Sequence, residues 1–190
     1  MQTLHRITKE TKIDLELEIY GTGKSKIQTG IGFFDHMLEA LSKHSLIDLN
    51  LTCKGDIHVD FHHSVEDVGI VLGQALRAAI YPIKEVERYG NAVVVMDEAA
   101  VECALDLSNR PYLFYDVAME GKVGEFDVEL SEEFFRALMH NAGISAHIVA
   151  CRGKNKHHLL EASFKAFAVA LRRSLVKNER MGIPSTKGVL

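Results

Sequence analysis

Two short stretches of this chain have the residue types and spacing of metal ligands, and they read alike. His62-His63-Ser-Val-Glu66 recurs as His157-His158-Leu-Leu-Glu161, displaced by 95 residues in a chain of 190. Imidazole and carboxylate without thiolate suit Mn, Fe, Ni or Zn, and ligand chemistry alone does not choose among them. On a helix, positions i and i+4 share a face, whereas i and i+1 point about 100° apart. Adjacent histidines therefore serve different metals, and Glu66 or Glu161 can support either. One His-His-x-x-Glu alone would more often be a solvated polar face. Its repetition in register favours ligation.

The shorter helices extend the set. Leu38-Glu-Ala-Leu41 overlays Phe135-Arg-Ala-Leu138, which places Glu133 where the first half has His36. The inventory becomes His36, His62, His63 and Glu66 against Glu133, His157, His158 and Glu161. Shared over two metals, these leave open positions on six-coordinate ions for water or substrate. His5, His58 and His140 have no partner in this pattern, and His147 aligns with Asn50, which favours a structural role. Gly30-x-Gly32 lacks the third glycine of a dinucleotide fingerprint.

Elements in the same order must position both sets. Ile13 to Tyr20 alternates strictly and reads as a half-buried strand; a Gly21–Ser25 turn follows, with Lys26 to Gln28 pairing back. A helix is expected over Phe33 to His44. Leu49 to Cys53 and Ile57 to Phe61 then form a hairpin about Lys54-Gly55, with His58 on its polar face beside Asp56 and Asp60. A longer helix runs from about His63 to Ile80 and stops before Pro82. The order restarts with strands over Ala92–Met96, Ala100–Leu107 and Tyr112–Val117 and a helix opened by Ser131 as N-cap. A strand over Ile144–Cys151 and a helix over His158–Lys177 complete it. The expectation is an α+β fold: one domain, residues 1–190, of two pseudo-symmetric halves, about 1–90 and 91–190.

Composition narrows the function classes. Twenty-two Lys and Arg against 26 Asp and Glu give a net charge of −4, with no basic excess for nucleic acid or anionic membranes. No apolar run approaches the ~20 residues of a membrane span. Residues 1–10 mix charges and lack an apolar signal-peptide core, which suggests a cytoplasmic protein. Cys53, Cys103 and Cys151 are odd in number and far apart, and read as small buried hydrophobes. Arg88, Arg110, Lys165 and Lys187 could hold a phosphate. Lys165 lies one turn after Glu161 on the same face, whereas Arg88 and Arg110 alone read as surface charges.

Gly32-Phe-Phe-Asp-His36-Met-Leu-Glu, Asp60-Phe-His-His-Ser-Val-Glu-Asp67, Ser108-Asn-Arg-Pro111 and His157-His-Leu-Leu-Glu-Ala-Ser-Phe-Lys-Ala-Phe167 together resemble the imidazoleglycerol-phosphate dehydratase family of histidine biosynthesis. The resemblance covers about residues 3–188. It implies duplicated half-domains, each a four-stranded mixed β-sheet with helices on one face (ribosomal protein S5 domain 2-like). It further implies a homo-oligomer, a 24-subunit shell with active sites at subunit interfaces, and two Mn²⁺ per site held by the eight residues above. Substrate contacts fall on Glu10, His44, Arg88, Arg110, Lys165, Ser185 and Lys187, and catalytic carboxylates on Glu10, Glu66 and Glu161. Many members have His in place of Glu133, and Gln in place of Ala40.

The reaction implied is loss of water from D-erythro-imidazole-glycerol phosphate to give imidazole-acetol phosphate. Metals gripping the imidazole nitrogens would favour an imidazolate, whose electrons expel the adjacent hydroxyl through a diazafulvene-like intermediate. Glu10, Glu161 or a metal-bound water would move the C2 proton, and the cationic residues would clamp the phosphate. The rival readings are another dinuclear metalloenzyme acting on a small phosphorylated substrate, which would prefer bridging aspartates, and a non-catalytic metal-binding protein.

Overall fold

Strict alternation along Thr11–Glu18 places Ile13, Leu15 and Leu17 against the interior and turns Lys12, Asp14, Glu16 and Glu18 outward. The same logic organises both halves of the chain, described for residues 1–190 by a computed structural model. The first half runs β1 (Gln2–Ile7), β2 (Thr11–Glu18), β3 (Ser25–Gln28), α1 (Gly32–Ser45), β4 (Asp48–Gly55) and α2 (His62–Ile80). The second runs β5 (Tyr89–Met96), β6 (Ala99–Asp106), β7 (Tyr112–Asp116), a small hairpin β8 (Lys122–Val123) and β9 (Phe126–Asp127), α3 (Leu130–Ala142), β10 (Ser145–Arg152) and α4 (Lys156–Ser174). A 3-10 turn at Glu179–Met181 follows.

The strand orders are β1-β2-β4-β3 and β5-β6-β10-β7. In each the last pair is parallel and the others antiparallel. The fold is thus α+β, two half-domains of one topology, each a mixed sheet with helices on one face. The helices cross between the halves: α1 lies on α4, and α2 on α3. A Cβ at Gly69 would meet Phe134 O at 2.8 Å and one at Gly73 would meet Leu138 O at 2.7 Å, so only glycine permits the α2–α3 approach. Phe164 fills the corresponding space on the α4 side, its ring centroid 5.2 Å from Phe134 and 4.8 Å from Phe135. One apolar cluster therefore runs through both halves.

Several expectations are corrected. Residues 56–61 form a loop, not the return strand of a hairpin. β4 already has β2 on one edge and β3 on the other, so no edge remains for a further strand. Ile57 and Val59 are accordingly exposed, and His58 sits on this loop. β3 does not pair back on β2 but runs parallel to β4, Ser25 opposite Leu49. Asp48 Oδ1 fixes that crossing by accepting the N–H groups of Thr22 and Lys24 at 2.7 and 2.8 Å.

Ser131 is not an N-cap: the helix begins at Leu130, and the buried Ser131 hydroxyl donates to Val128 O at 2.8 Å. α4 begins two residues early, at Lys156, because Asn155 Oδ1 accepts from His157 N and His158 N, and it ends at Ser174 rather than Lys177. Cys151 is exposed, unlike Cys53 and Cys103. β1 and the β8–β9 hairpin have no counterpart among the expected elements. β1 carries only half-buried residues on its inner side, so its alternation is weak.

Candidate metal centre

The N-terminus of α4, fixed by its Asn155 cap, sets His157 and Glu161 one turn apart on the same face. His157 Nε2 lies 3.1 Å from Glu161 Oε2. α1, packed across from the other half, brings His36 Nε2 to 3.4 Å from the same oxygen. One ligand atom from each of the three lies within 4.8 Å of the others, a spacing that suits a shared cation. Phe33 and Phe126 wall the group, with Phe33 meeting the His157 ring edge-on at 5.2 Å. The Glu161 side chain is only 8% exposed, and its second oxygen, Oε1, takes Lys165 Nζ at 2.7 Å. Burial favours the neutral acid, yet Lys165, His157 and His36 together hold the Glu161 carboxyl below its ordinary range. It stays an anion in a nearly closed place, as a ligand must.

The equivalent face of α2 is more open. His62 Nε2 and Glu66 Oε2 are 3.8 Å apart and both about half exposed. Glu133 does not close a three-ligand group with them; its carboxylate faces Arg136 Nε at 3.9 Å instead. Adjacent histidines do diverge, as helical geometry requires: the rings of His62 and His63 stand at 89° and those of His157 and His158 at 81°. His63 and His158 meet acids of their own. His63 Nδ1 is 3.0 Å from Asp56 and His158 Nδ1 is 2.7 Å from Glu98, and these contacts raise both imidazole pKa values. Glu98 is in turn lowered to about 2, chiefly by the His158 contact and by the N–H groups of Asn155 and Lys154.

A sequence model of the imidazoleglycerol-phosphate dehydratase family matches residues 29–171. The chain is 70% identical over 190 residues to the imidazoleglycerol-phosphate dehydratase of Aliarcobacter butzleri, covering 100% of both chains. It is 69% identical to that of Campylobacter hominis over 98% of both. Among solved structures it resembles the Staphylococcus aureus imidazoleglycerol-phosphate dehydratase, with a TM-score of 0.83, 40% identity and coverage of 94% of this chain and 100% of that one. The Pyrococcus furiosus structure gives 0.85 at 38% identity, covering 98% and 100%.

The chain belongs to the imidazoleglycerol-phosphate dehydratase family. It is therefore a lyase of histidine biosynthesis. The substrate contacts that family resemblance assigns fall in three places. His44 shares the surroundings of Glu161: burial, then the charges of Lys165 and Arg172, push its pKa down against the pull of Glu161. Glu10, in the β1–β2 turn, faces His63 Nε2 at 3.7 Å.

Lys165 stands on Glu161, and the remaining contacts gather around Asp106. Arg88 donates from Nε and Nη2 to Asp106 at 2.7 and 3.1 Å, and from Nη1 to Pro184 O at 2.6 Å. Arg110 is 68% exposed, 3.9 Å from the same carboxylate. Ser185 Oγ accepts from Lys187 N, in the segment that Arg88 holds. Arg88 N also bonds Ser174 O at the end of α4. His157 opens that helix, and the rise from His157 to Ser174 is about 25 Å.

Asp56, Asp97, Glu98, Phe33 and Phe126 were not singled out from sequence. Glu98 had a signal: it occupies the β5–β6 turn as Glu10 occupies the β1–β2 turn, each directly before the second strand. Asp56 falls within an alternation that reads as a strand, which conceals it among outward-facing acids. A surface cleft of about 440 Å³ lies on the outer face of the first sheet between Lys12, Gln28 and Lys54, and contains none of these groups.

Proposed function

We propose that this enzyme dehydrates D-erythro-imidazole-glycerol phosphate to imidazole-acetol phosphate with two bound Mn²⁺ ions. The observation that carries the reading is the convergence, from opposite halves, of His36 and His157 on the buried, lysine-braced Glu161. A nitrogen-rich set with one carboxylate fits a borderline divalent cation. His36, His157 and Glu161 would hold one ion, and His62, Glu66 and Glu133 the other, with His63 and His158 as the remaining ligands. When bound, the ions supply Lewis acidity at the substrate imidazole, favouring its deprotonated form.

The chain's own groups do the rest. Both oxygens of Glu161 are committed, one to Lys165 and one to the histidines, so Glu161 is a poor carrier of a substrate proton. Glu10 is half exposed and its carboxylate makes no hydrogen bond, its nearest cationic partner being His63 at 3.7 Å, which leaves it free to move the C2 proton. Arg110, Ser185 and Lys187 receive the phosphate, with Arg88 holding their segment in place and adding its charge.

These phosphate groups lie near the far end of α4 from His157, about 25 Å along its axis, a separation that a small substrate cannot span. A working site therefore combines the metal-ligating end of one copy with the phosphate-binding end of another, which favours a homo-oligomer, with 24 subunits as the assembly the family suggests. The outer face of the second sheet offers contact area for such copies: Tyr89, Val93, Val95, Tyr112 and Phe114 are exposed there, where the first sheet presents Lys12, Asp14, Glu16 and Lys54. The two halves, about 1–90 and 91–190, act as one domain because their helices share a core. The setting is cytoplasmic, in keeping with a small phosphorylated substrate; no helix is long and apolar enough to cross a membrane. The test is turnover of imidazole-glycerol phosphate before and after chelation. Activity lost to chelator and restored by Mn²⁺ is expected; no turnover with Mn²⁺ restored overturns the reading.

A further inference from the structure

The second histidine of each pair is held alike in the two halves, by carboxylates that occupy different places in the fold. Asp56, on the loop between β4 and α2, sets Oδ2 at 3.0 Å from His63 Nδ1. Glu98, on the turn between β5 and β6, sets Oε2 at 2.7 Å from His158 Nδ1. Two different backbone positions thus deliver a carboxylate to the same ring atom of equivalent histidines.

The two acids are held differently before they meet the ring, Glu98 through its carboxylate and Asp56 through its backbone, with Asp56 Oδ1 buried and unpartnered. Glu98 Oε1 accepts from Lys154 N at 3.1 Å and Asn155 N at 2.7 Å, which ties it to the loop that caps α4. Asp56 N donates to Glu10 O at 3.1 Å and Asp56 O accepts from Val59 N at 2.8 Å. The other ring nitrogen is uncommitted in each case: Glu10 and Asp97 face His63 Nε2 and His158 Nε2 at 3.7 Å, beyond hydrogen-bond distance. An imidazole that donates Nδ1–H to a fixed carboxylate keeps its Nε2 lone pair free and aimed.

We propose that Asp56 and Glu98 are positioning residues that lock His63 and His158 in the tautomer and orientation presenting Nε2 to a divalent cation. The inference rests on the metal-dependent reading above and adds two residues to it. Loss of such an outer carboxylate typically weakens metal affinity 10- to 100-fold.

The experiment titrates Mn²⁺ into the chelator-stripped full-length protein by calorimetry and follows thermal unfolding of the metal-free form. Asp56→Ala and Glu98→Ala should each weaken Mn²⁺ binding about 10- to 100-fold at part of the sites. Asp56→Asn and Glu98→Gln, whose amide oxygens still accept from Nδ1–H, should recover much of that affinity. Asp14→Ala removes a like contact, 2.6 Å from His5 Nδ1 and outside the motif, and should leave affinity unchanged. Parental affinity in both alanine variants overturns the inference. So does a loss that the amide variants fail to recover and that tracks a lowered unfolding midpoint, because the role is then structural. If His63→Ala and His158→Ala themselves bind Mn²⁺ like the parent, the metal reading fails instead, and the two failures are distinguishable.

Discussion

Glu66 and Glu161 close the same His-His-x-x-Glu motif yet differ in what surrounds them. Glu161 is buried under α1 and braced by Lys165, whereas Glu66 is 47% exposed. A buried carboxylate that loses its charge leaves two histidines and a lysine without their common partner, which is costly in a place that water barely reaches. Glu161→Gln should therefore abolish Mn²⁺ binding at its centre, as measured by calorimetric stoichiometry, while His58→Ala, on the open 56–61 loop, should leave stoichiometry intact. Glu10→Gln separates ligation from proton transfer: kcat should fall about 10²- to 10⁴-fold with Mn²⁺ affinity retained. A matching loss of affinity would make Glu10 a ligand.

The α2–α3 crossing depends on two absent side chains. Gly73→Ala places a methyl 2.7 Å from the Leu138 carbonyl oxygen and the Asn141 Cβ. Overpacking outweighs the gain in helix propensity, for a net loss on the order of 1–2 kcal/mol, readable as a lowered urea midpoint with unchanged slope. The β2–β3 crossing depends instead on a charge. Backbone N–H groups of Lys24 and Thr22 hold the Asp48 carboxyl below its ordinary range. Because the folded value lies below the unfolded one, the stability Asp48 contributes is complete above the unfolded pKa and is lost as pH falls through the folded one. The unfolding midpoint should therefore drop as pH falls below about 4, and Asp48→Asn should shrink that drop. An unchanged pH profile in the variant would remove Asp48 from the account.

At the scale of the whole molecule, the proposed function requires two copies to join the ends of one site. Mixing His157→Ala subunits with Arg110→Ala subunits after dissociation and reassembly should restore part of the activity, because some composite sites then contain neither substitution. No recovery in verified mixed assemblies would place the complete site within one copy. Phe114→Asp introduces a charge on the apolar outer sheet face and should reduce the assembly's mass by light scattering if copies meet there. Metal-free secondary structure is expected to remain, since Phe114 lies outside the shared core.

The sequence by itself determined the duplication, the fold class and the candidate ligands, because helical spacing and strand alternation are local properties that residue order records. The divergence of adjacent histidines was legible for the same reason. Residues 56–61 show where local reading fails: they alternate like a strand, but both edges of β4 are already filled. Whether Glu133 meets His62 and Glu66 or turns to Arg136 could not be read from order either. Only the tertiary structure decided that His36 reaches across to α4, that Asp56 and Glu98 take the same ring nitrogen, and that Arg88 stands a helix length from His157. Those are distances between segments remote in sequence, set by how the helices of two half-domains pack, and no local pattern encodes them.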